Sequence, residues 1–229
     1  ETYGEYPEGD REDAYGAGGA AEVAQKIMDG LGGGDRAALV QTVQQDASER
    51  RVQVWMSDQD EEQAIQSMKM GGELSSDSTQ PVLGVYVNDN TWGKMCWYLK
   101  LSTDIGSATT NSDGTITYSV TTSVTNTATD DELASAPEYV IGNSQAKRDD
   151  GDIYLSPVLL MAPAGGKISD VSVSGTATMG EGTLYGFDTW SGSVNIEPQE
   201  TVTYTYKVTT AAGATTSLAL DTTPTGQRF

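Results

Sequence analysis

Apolar residues recur with a helical period in the first third of the chain. The spacing i, i+3, i+4 and i+7 runs through Ala20, Val23, Ala24, Ile27, Met28 and Leu31. This spacing predicts an amphipathic helix that ends at Gly32-Gly33-Gly34. Asp35 can cap a second helix, whose apolar stripe is Leu39, Val40, Val43 and Ala47.

The acidic run after Ser57 predicts a third helix with Ala64, Ile65 and Met68 on its apolar side. Acids at a helix start are explained by the helix dipole, with a calcium site as the alternative. Between the second and third helices, Val52–Met56 alternates and predicts a strand. Residues 1–80 are therefore expected to form a mostly helical region with one strand.

The period changes to two from residue 81 onward. Three segments alternate apolar residues with Thr or Ser, and they contain Ile116–Val124, Val171–Met179 and Val202–Val208. Each pattern is typical of a half-buried antiparallel strand with a hydroxyl-bearing outer face. Turn signals separate the strands: Asn111–Gly114, Asp149–Asp152, Ala164–Gly166 and Glu197–Glu200. Residues 81–229 are expected to form a β-sandwich-like domain.

The segment Tyr154–Met161 is more continuously apolar than the other strands. A run of this kind predicts a central strand, whereas Pro157 within it predicts a bulge or an edge position. The fold class expected for the whole chain is α+β, with a small N-terminal helical part and a C-terminal antiparallel β-sandwich.

Charge narrows the possible partners. The 229 residues include 33 Asp and Glu, 13 Lys and Arg and no His, for a formal charge of -20. The acids are spread over both halves, which argues against nucleic acid and anionic membranes as partners. Without His, triads, Cys–His dyads and His-containing zinc sites are excluded.

Cys96 is the only cysteine, so no intrachain disulfide is possible. Its apolar neighbours predict a small buried side chain. The alternative role, a nucleophile, lacks a His base or a cationic cluster. No segment reaches the roughly 18 apolar residues of a membrane helix, and no signal peptide is recognised.

Paired carboxylates remain as possible catalytic groups, because no P-loop, dinucleotide-binding, zinc-protease or serine-hydrolase motif is present. The densest acidic clusters of the β region are Asp130–Glu132 and Asp149–Asp152. Calcium is the candidate cofactor, at Asp149, Asp150 and Asp152, where carboxylates around a Gly can surround a hard cation. The alternative is that these acids are solvated loop residues.

Aromatic residues are candidates for stacking against sugars. The set is Tyr86, Trp92, Trp97, Tyr98, Tyr185 and Trp190. Trp92 and Trp190 are the better candidates because both lie beside Gly or Ser in turn-like contexts. The alternative is that these rings belong to the core.

The order of several short motifs resembles a known family. The motifs are Tyr6-Pro7, Asp35–Val40, Glu49–Trp55, Glu61–Gln63, Gly84–Asp89, Gly93–Leu99, Val124–Thr127, Tyr139–Gly142, Met161–Gly166 and Glu197–Thr201. Together they resemble the C-terminal half of the family of domains of unknown function numbered 4012, which occurs in actinobacterial envelope proteins. The resemblance spans about Tyr6 to Pro224.

The resemblance implies an external region of a single-pass membrane protein associated with surface polysaccharide. It implies no catalytic residue. The hallmark of the family, an Asn-Asn-x-Glu-Leu-Arg segment with a Thr-Gly-Gly-Phe turn, belongs to the N-terminal half and is absent here. Cys96 departs from the family's acid or polar residue at that position. We expect an extracellular chain tethered by an N-terminal membrane helix upstream of Glu1.

Within the shared motif, Asn88, Asp89 and Asn90 suit a turn between two strands. Asn88, Asp89 and Lys94 form the polar group expected to bind a ligand, with turn stabilisation by Asx hydrogen bonds as the alternative.

Three functions are compatible with these features. The first is a non-catalytic binding or scaffolding module for glycan, cell-wall polymer or envelope proteins. The second is an accessory half of a glycan-polymer transferase or hydrolase, and the third is a structural spacer.

Overall fold

The computed structural model describes residues 18, 22, 25, 26, 29, 36–68, 70–88, 93–141, 155–175 and 177–226. The chain divides into two compact units, Glu1–Glu73 and Leu74–Phe229. Within the described part of the chain, no helix is long and apolar enough to span a membrane.

The first unit contains the predicted helices. Positions 22, 25, 26 and 29 are helical, and they carry i,i+4 pairs at 2.8 Å (Lys26–Glu22) and 2.9 Å (Gln25–Asp29). Helix α1 spans Arg36–Ser48 and helix α2 spans Gln59–Ser67. These observations confirm a helical N-terminal part.

The residue that caps the start of helix α2 is Asp58, directly after Ser57. The Asp58 carboxylate accepts the N–H groups of Asp60 and Glu61, at 3.0 and 3.2 Å. This cap satisfies two of the backbone donors that a helix start leaves open. The acids of its first turn therefore have a structural explanation in the helix dipole.

The segment Val52–Met56 keeps alternating burial but forms no strand ladder. The Val54 N–H donates to the Met70 carbonyl at 2.9 Å, and the Met56 N–H donates to the Glu62 carboxylate at 2.8 Å. Alternating burial shows which side chains are covered. A β-strand also needs backbone hydrogen bonds to a neighbouring strand, which this segment does not form among the described residues.

The second unit is a sandwich of two sheets. Its described residues form nine strands, which are β1 Val82–Val87, β2 Leu99–Thr110, β3 Ile116–Asn126, β4 Leu155–Met161, β5 Lys167–Val173, β6 Thr178–Leu184, β7 Phe187–Asn195, β8 Thr201–Thr209 and β9 Ala219–Thr222. Sheet A has the order β6-β7-β4-β1-β9 and sheet B the order β2-β3-β8-β5. All pairs are antiparallel except β1 with β9, which is parallel. The predicted α+β class with a C-terminal sandwich is confirmed.

The core lies between the two sheets. Sheet A contributes Leu83, Val85 and Leu160, and sheet B contributes Val120, Val124, Tyr204 and Val208, all essentially buried. On β3 and β8 the alternate residues are exposed or half-buried, and all of them are Thr or Ser except Lys207. The period-two pattern therefore predicts correctly which face of β3 and of β8 is buried.

Turn chemistry explains the chain reversals. Gly114 and Gly165 have φ values of 82° and 66° in the β2–β3 and β4–β5 connections. Gln199 adopts a φ of 64° between β7 and β8. Three of the predicted turns are confirmed, and the fourth, Asp149–Asp152, lies outside the described residues.

One strand prediction is wrong in its extent. The alternation Val171–Met179 belongs to two strands, because β5 ends at Val173 in sheet B and β6 begins at Thr178 in sheet A. Gly175, with φ 83°, lies at the crossing. Burial alternates on both sides of the crossing, so the periodicity alone does not reveal the change of sheet.

Pro157 is compatible with the central position of β4 because of where it lies in the ladder. Its carbonyl accepts the Asn88 N–H at 3.1 Å, one residue beyond the end of β1. The backbone N–H that proline lacks would also point toward the end of β1. Few hydrogen bonds between β1 and β4 lie beyond this point, so little pairing is lost.

Candidate functional site

One end of the sandwich gathers several connections. They are the 3-10 turn Met95–Tyr98, helix α3 at Asp130–Ser135, helix α4 at Glu138–Ile141 and the C-terminal stretch 223–226. This end contains Asn88 and Lys94, two residues that the sequence singles out. We call it the Trp97 end, after its most exposed aromatic ring.

The 3-10 turn determines which of its side chains face the core. A 3-10 helix has three residues per turn, so residues i and i+3 share a side. Met95 is fully buried and Tyr98 is half-buried, whereas Cys96 and Trp97 are exposed. The turn therefore presents Cys96 and Trp97 outward.

The expectation that Cys96 is buried is wrong, because Cys96 is exposed. The apolar run Met95–Leu99 has neither a strand period nor an α-helical period. Its 3-10 period places Cys96 on the outer side of the turn.

Lys94 precedes the turn and is exposed. Its N–H donates to the Val140 carbonyl of α4 at 2.8 Å, and its carbonyl accepts the Trp97 N–H at 3.0 Å. These two hydrogen bonds fix the backbone that carries the side chains of Lys94 and Trp97.

Trp97 is 47% exposed and lies against the C-terminal stretch. A Cβ added at Gly226 would lie 3.0 Å from Cε3 of the Trp97 ring and 3.1 Å from the Trp97 carbonyl oxygen. The chain thus approaches the ring edge at a place where only glycine fits without a shift. Backbone thus lies against one edge of the indole, and about half of the Trp97 surface is exposed.

The same C-terminal stretch connects Trp97 to the end of β1. The Val87 N–H donates to Thr223 Oγ1 at 3.1 Å, and that hydroxyl donates to the Val87 carbonyl at 3.3 Å. Three residues later, Gly226 touches Trp97. Since three residues span at most about 11 Å, Asn88, which follows Val87 and is exposed, belongs to the same end of the sandwich.

Tyr98 and Glu132 determine the local electrostatics. Partial burial, and then the negative charge of Glu132, raise the pKa of Tyr98, so its hydroxyl stays protonated at neutral pH. Hydrogen bonds from the backbone and side chain of Thr129 lower the pKa of Glu132. The Trp97 end therefore combines a lysine, a neutral phenol and an ionised carboxylate.

Trp190 lies in the middle of β7, so the prediction of a turn-like context for it is wrong. The ring is half-buried against the core, and its Nε1–H donates to the Ile168 carbonyl of β5 at 3.2 Å. This bond links sheet A to sheet B. Trp190 is consequently placed to hold the sandwich together at its β5–β7 side.

The remaining candidates, Asp89, Trp92, Asp149, Asp150 and Asp152, lie outside the described residues. In the described ranges, no group of three or more Cys, Asp and Glu is placed to hold a metal ion.

The described aromatic residues differ in exposure. Trp97, Tyr185 at 89% exposed and Trp55 at 75% exposed present more ring surface than Trp190. Met95 and Tyr98 share the inner side of the 3-10 turn and Trp97 lies outside it, but four residues are too few for this period to be evident from the sequence. Tyr185 lies at the tip of the β6–β7 hairpin, and Trp55 belongs to the first unit.

Comparison of the chain with protein-family models, curated proteins and solved structures gives no match in any of the three.

Proposed function

We propose that this chain is a non-catalytic binding module that attaches to neutral surface polysaccharide in a cell envelope. The observation that carries the proposal is the presentation of Trp97. Its ring is half exposed, and its backbone and one ring edge are fixed by neighbouring segments. The envelope location, with a membrane tether upstream, is part of the same proposal and rests on the family resemblance.

The chemistry of an exposed indole favours a sugar ring as its ligand. The face of an aromatic ring is negative and attracts the C–H groups that line one side of a pyranose. Because the Trp97 backbone is already fixed, little conformational entropy is lost when a ligand stacks on it. This preorganisation distinguishes Trp97 from an aromatic residue on a free loop.

Lys94 and Asn88 supply polar groups at the same end. An ammonium donates three hydrogen bonds, and a carboxamide both donates and accepts, so the pair can engage sugar hydroxyls beside a stacked ring. The formal charge of -20 opposes binding of polyanions. A neutral polymer therefore fits better than an acidic one.

The proposal is tested with Trp97→Ala in a co-sedimentation assay on insoluble neutral polysaccharides (cellulose, chitin and amylose particles). Loss of an aromatic anchor should weaken binding at least tenfold. Trp55→Ala is the matched control because it removes a more exposed ring from the first unit. Equal binding by Trp97→Ala and the unmodified chain, or no binding of the unmodified chain to any of the polymers, would refute the proposal.

A further inference from the structure

The outer side of sheet B carries an ordered array of hydroxyl groups, which we call the hydroxyl face. It consists of the outward residues of β3 and β8: Thr117, Ser119, Thr121, Ser123, Thr125, Thr201, Thr203, Thr205, Lys207 and Thr209. Nine of these ten residues bear a hydroxyl, and none is aliphatic or aromatic.

The register of the two strands makes the array regular. Thr121 lies opposite Thr205, and the pairs on either side follow at intervals of two residues, from Thr117 with Thr209 to Thr125 with Thr201. Apart from Lys207 on β8, hydroxyl-bearing positions therefore repeat about every 6.8 Å along each strand and about every 4.8 Å across the pair. The rows extend for roughly 26 Å.

Hydrogen bonding differs between the ends and the centre of the array. At the ends, the hydroxyls pair with each other, at 3.0 Å for Thr117–Thr209 and 2.8 Å for Thr125–Thr201. At the central pair, neither Thr121 Oγ1 nor Thr205 Oγ1 has a hydrogen bond within the described residues. The centre thus offers two neighbouring groups that can each donate and accept.

The charge of this side of the sheet differs from that of the molecule. Lys100, Lys167 and Lys207 are exposed on the strands of sheet B, and they are three of the four lysines that the structure describes in the second unit. Lys207 pairs with Asp170 at 2.7 Å. Asp104, opposite Thr121 in the register, and Asp170 are the acidic residues described on these strands. Three lysines thus lie beside two acids here, on a chain that has 33 acids and 13 basic residues overall.

We infer that the hydroxyl face binds an extended chain of a neutral polysaccharide. The inference rests on the proposed function and adds a second surface to it. Sugar hydroxyls both donate and accept hydrogen bonds, so a polymer that repeats them matches a lattice of Thr and Ser hydroxyls. A second copy of this protein fits less well, because self-association of stable dimers depends on apolar contact that this face does not offer.

The hydroxyl face begins beside the Trp97 end. Lys100, opposite Thr125 in the register, follows Trp97 by three residues. A sugar stacked on Trp97 therefore starts a path that continues onto the first row of the face. One polymer chain can contact both surfaces, which raises the overall affinity through effective concentration.

The double variant Thr121→Val with Thr205→Val tests the inference in the full chain. Valine keeps the shape and the strand preference and removes only the hydroxyls. The same cellulose, chitin and amylose particles serve as probes, and binding should fall at least fivefold. Thr183→Val, on the exposed edge strand β6, is the matched control and should bind normally. Thermal unfolding of both variants checks that the fold is kept.

The results separate the two claims. Weaker binding by the double variant, with normal binding by Thr183→Val, supports the inference. If Trp97→Ala loses binding while the double variant binds fully, the proposed function stands and the hydroxyl-face inference fails. The inference is also overturned if the double variant changes the mass of the protein in solution, which would identify the face as a self-association surface.

Discussion

Tyr206 places a hydroxyl inside the sandwich, where other side chains complete its hydrogen bonding. Its oxygen lies 2.9 Å from Thr122 Oγ1, which in turn lies 2.9 Å from Thr103 Oγ1. The sequence pattern assigns Thr122 to the buried face of β3. It does not reveal the partner, because Tyr206 is 84 residues away. Buried polar groups need such partners, and only the strand register shows them.

Replacing Tyr206 by Phe should alter alkaline stability. Burial raises the pKa of Tyr206 above the value of about 10 that it has in the unfolded chain. The stability linked to the neutral phenol is fully present below pH 10 and is lost as the pH rises further. Urea unfolding should show a Tyr206→Phe deficit of about 1 kcal/mol at pH 7 that shrinks at pH 11. Tyr185→Phe, at an exposed position, is the control, and an unchanged deficit at pH 11 would contradict the assignment.

Trp190→Phe separates a core function from a ligand function. The change removes the N–H that donates to the Ile168 carbonyl, which should lower the free energy of unfolding by about 1–3 kcal/mol. Polysaccharide binding should remain within twofold of that of the unmodified chain. Normal stability combined with lost binding would show that Trp190 contacts the ligand and would contradict a core function.

At the scale of elements, the sequence predicts individual strands better than their arrangement. The alternation of β3 and β8 and the glycine turns follow from local periodicity and backbone freedom. The parallel pairing of β1 with β9 and the crossing at Gly175 depend on contacts between distant segments. For the Trp97 end, the sequence pattern singles out Asn88 and Lys94 but favours Trp190 over Trp97. A four-residue 3-10 turn is too short for its period to be evident.

The attachment of the edge strand β6 depends on Gly192. A Cβ there would overlap the Thr178 carbonyl oxygen and press on the Met179 sulfur. Gly192→Ala should therefore cost about 1–3 kcal/mol. Gly180→Ala is the matched control, because its Cβ would meet only Ser191 O at 3.9 Å. Chemical denaturation of both variants checks this, and equal stabilities would show that β6 does not pack as described.

At the scale of the whole molecule, the excess of acidic residues is the dominant long-range electrostatic contribution to stability. A formal charge of -20 on 229 residues repels itself at neutral pH. Exposed carboxylates such as Asp77 and Asp113 accept hydrogen bonds from Thr79 and Thr115, which lower their pKa values and keep them ionised. Local turns are thereby stabilised while the overall repulsion remains.

Salt should therefore raise the melting temperature. Going from 10 to 200 mM NaCl shortens the screening length from about 30 Å to below 10 Å. If screening raises the free energy of unfolding by about 1 kcal/mol, the melting temperature of the main transition rises by about 2–4 °C. KCl at equal ionic strength should give the same shift in differential scanning calorimetry. A melting temperature that stays constant or falls would show that self-repulsion is not a significant cost.

The central claim is that Trp97 forms the contact with a neutral polysaccharide. The most direct measurement is ¹⁹F NMR of the full chain labelled with 5-fluorotryptophan and titrated with cello- and chito-oligosaccharides, with the signals assigned by single Trp→Phe variants. The account predicts that the Trp97 signal shifts in a saturable manner while the Trp55 and Trp190 signals stay in place. A Trp97 signal that does not move while another signal saturates, or the absence of any saturable shift, would contradict it.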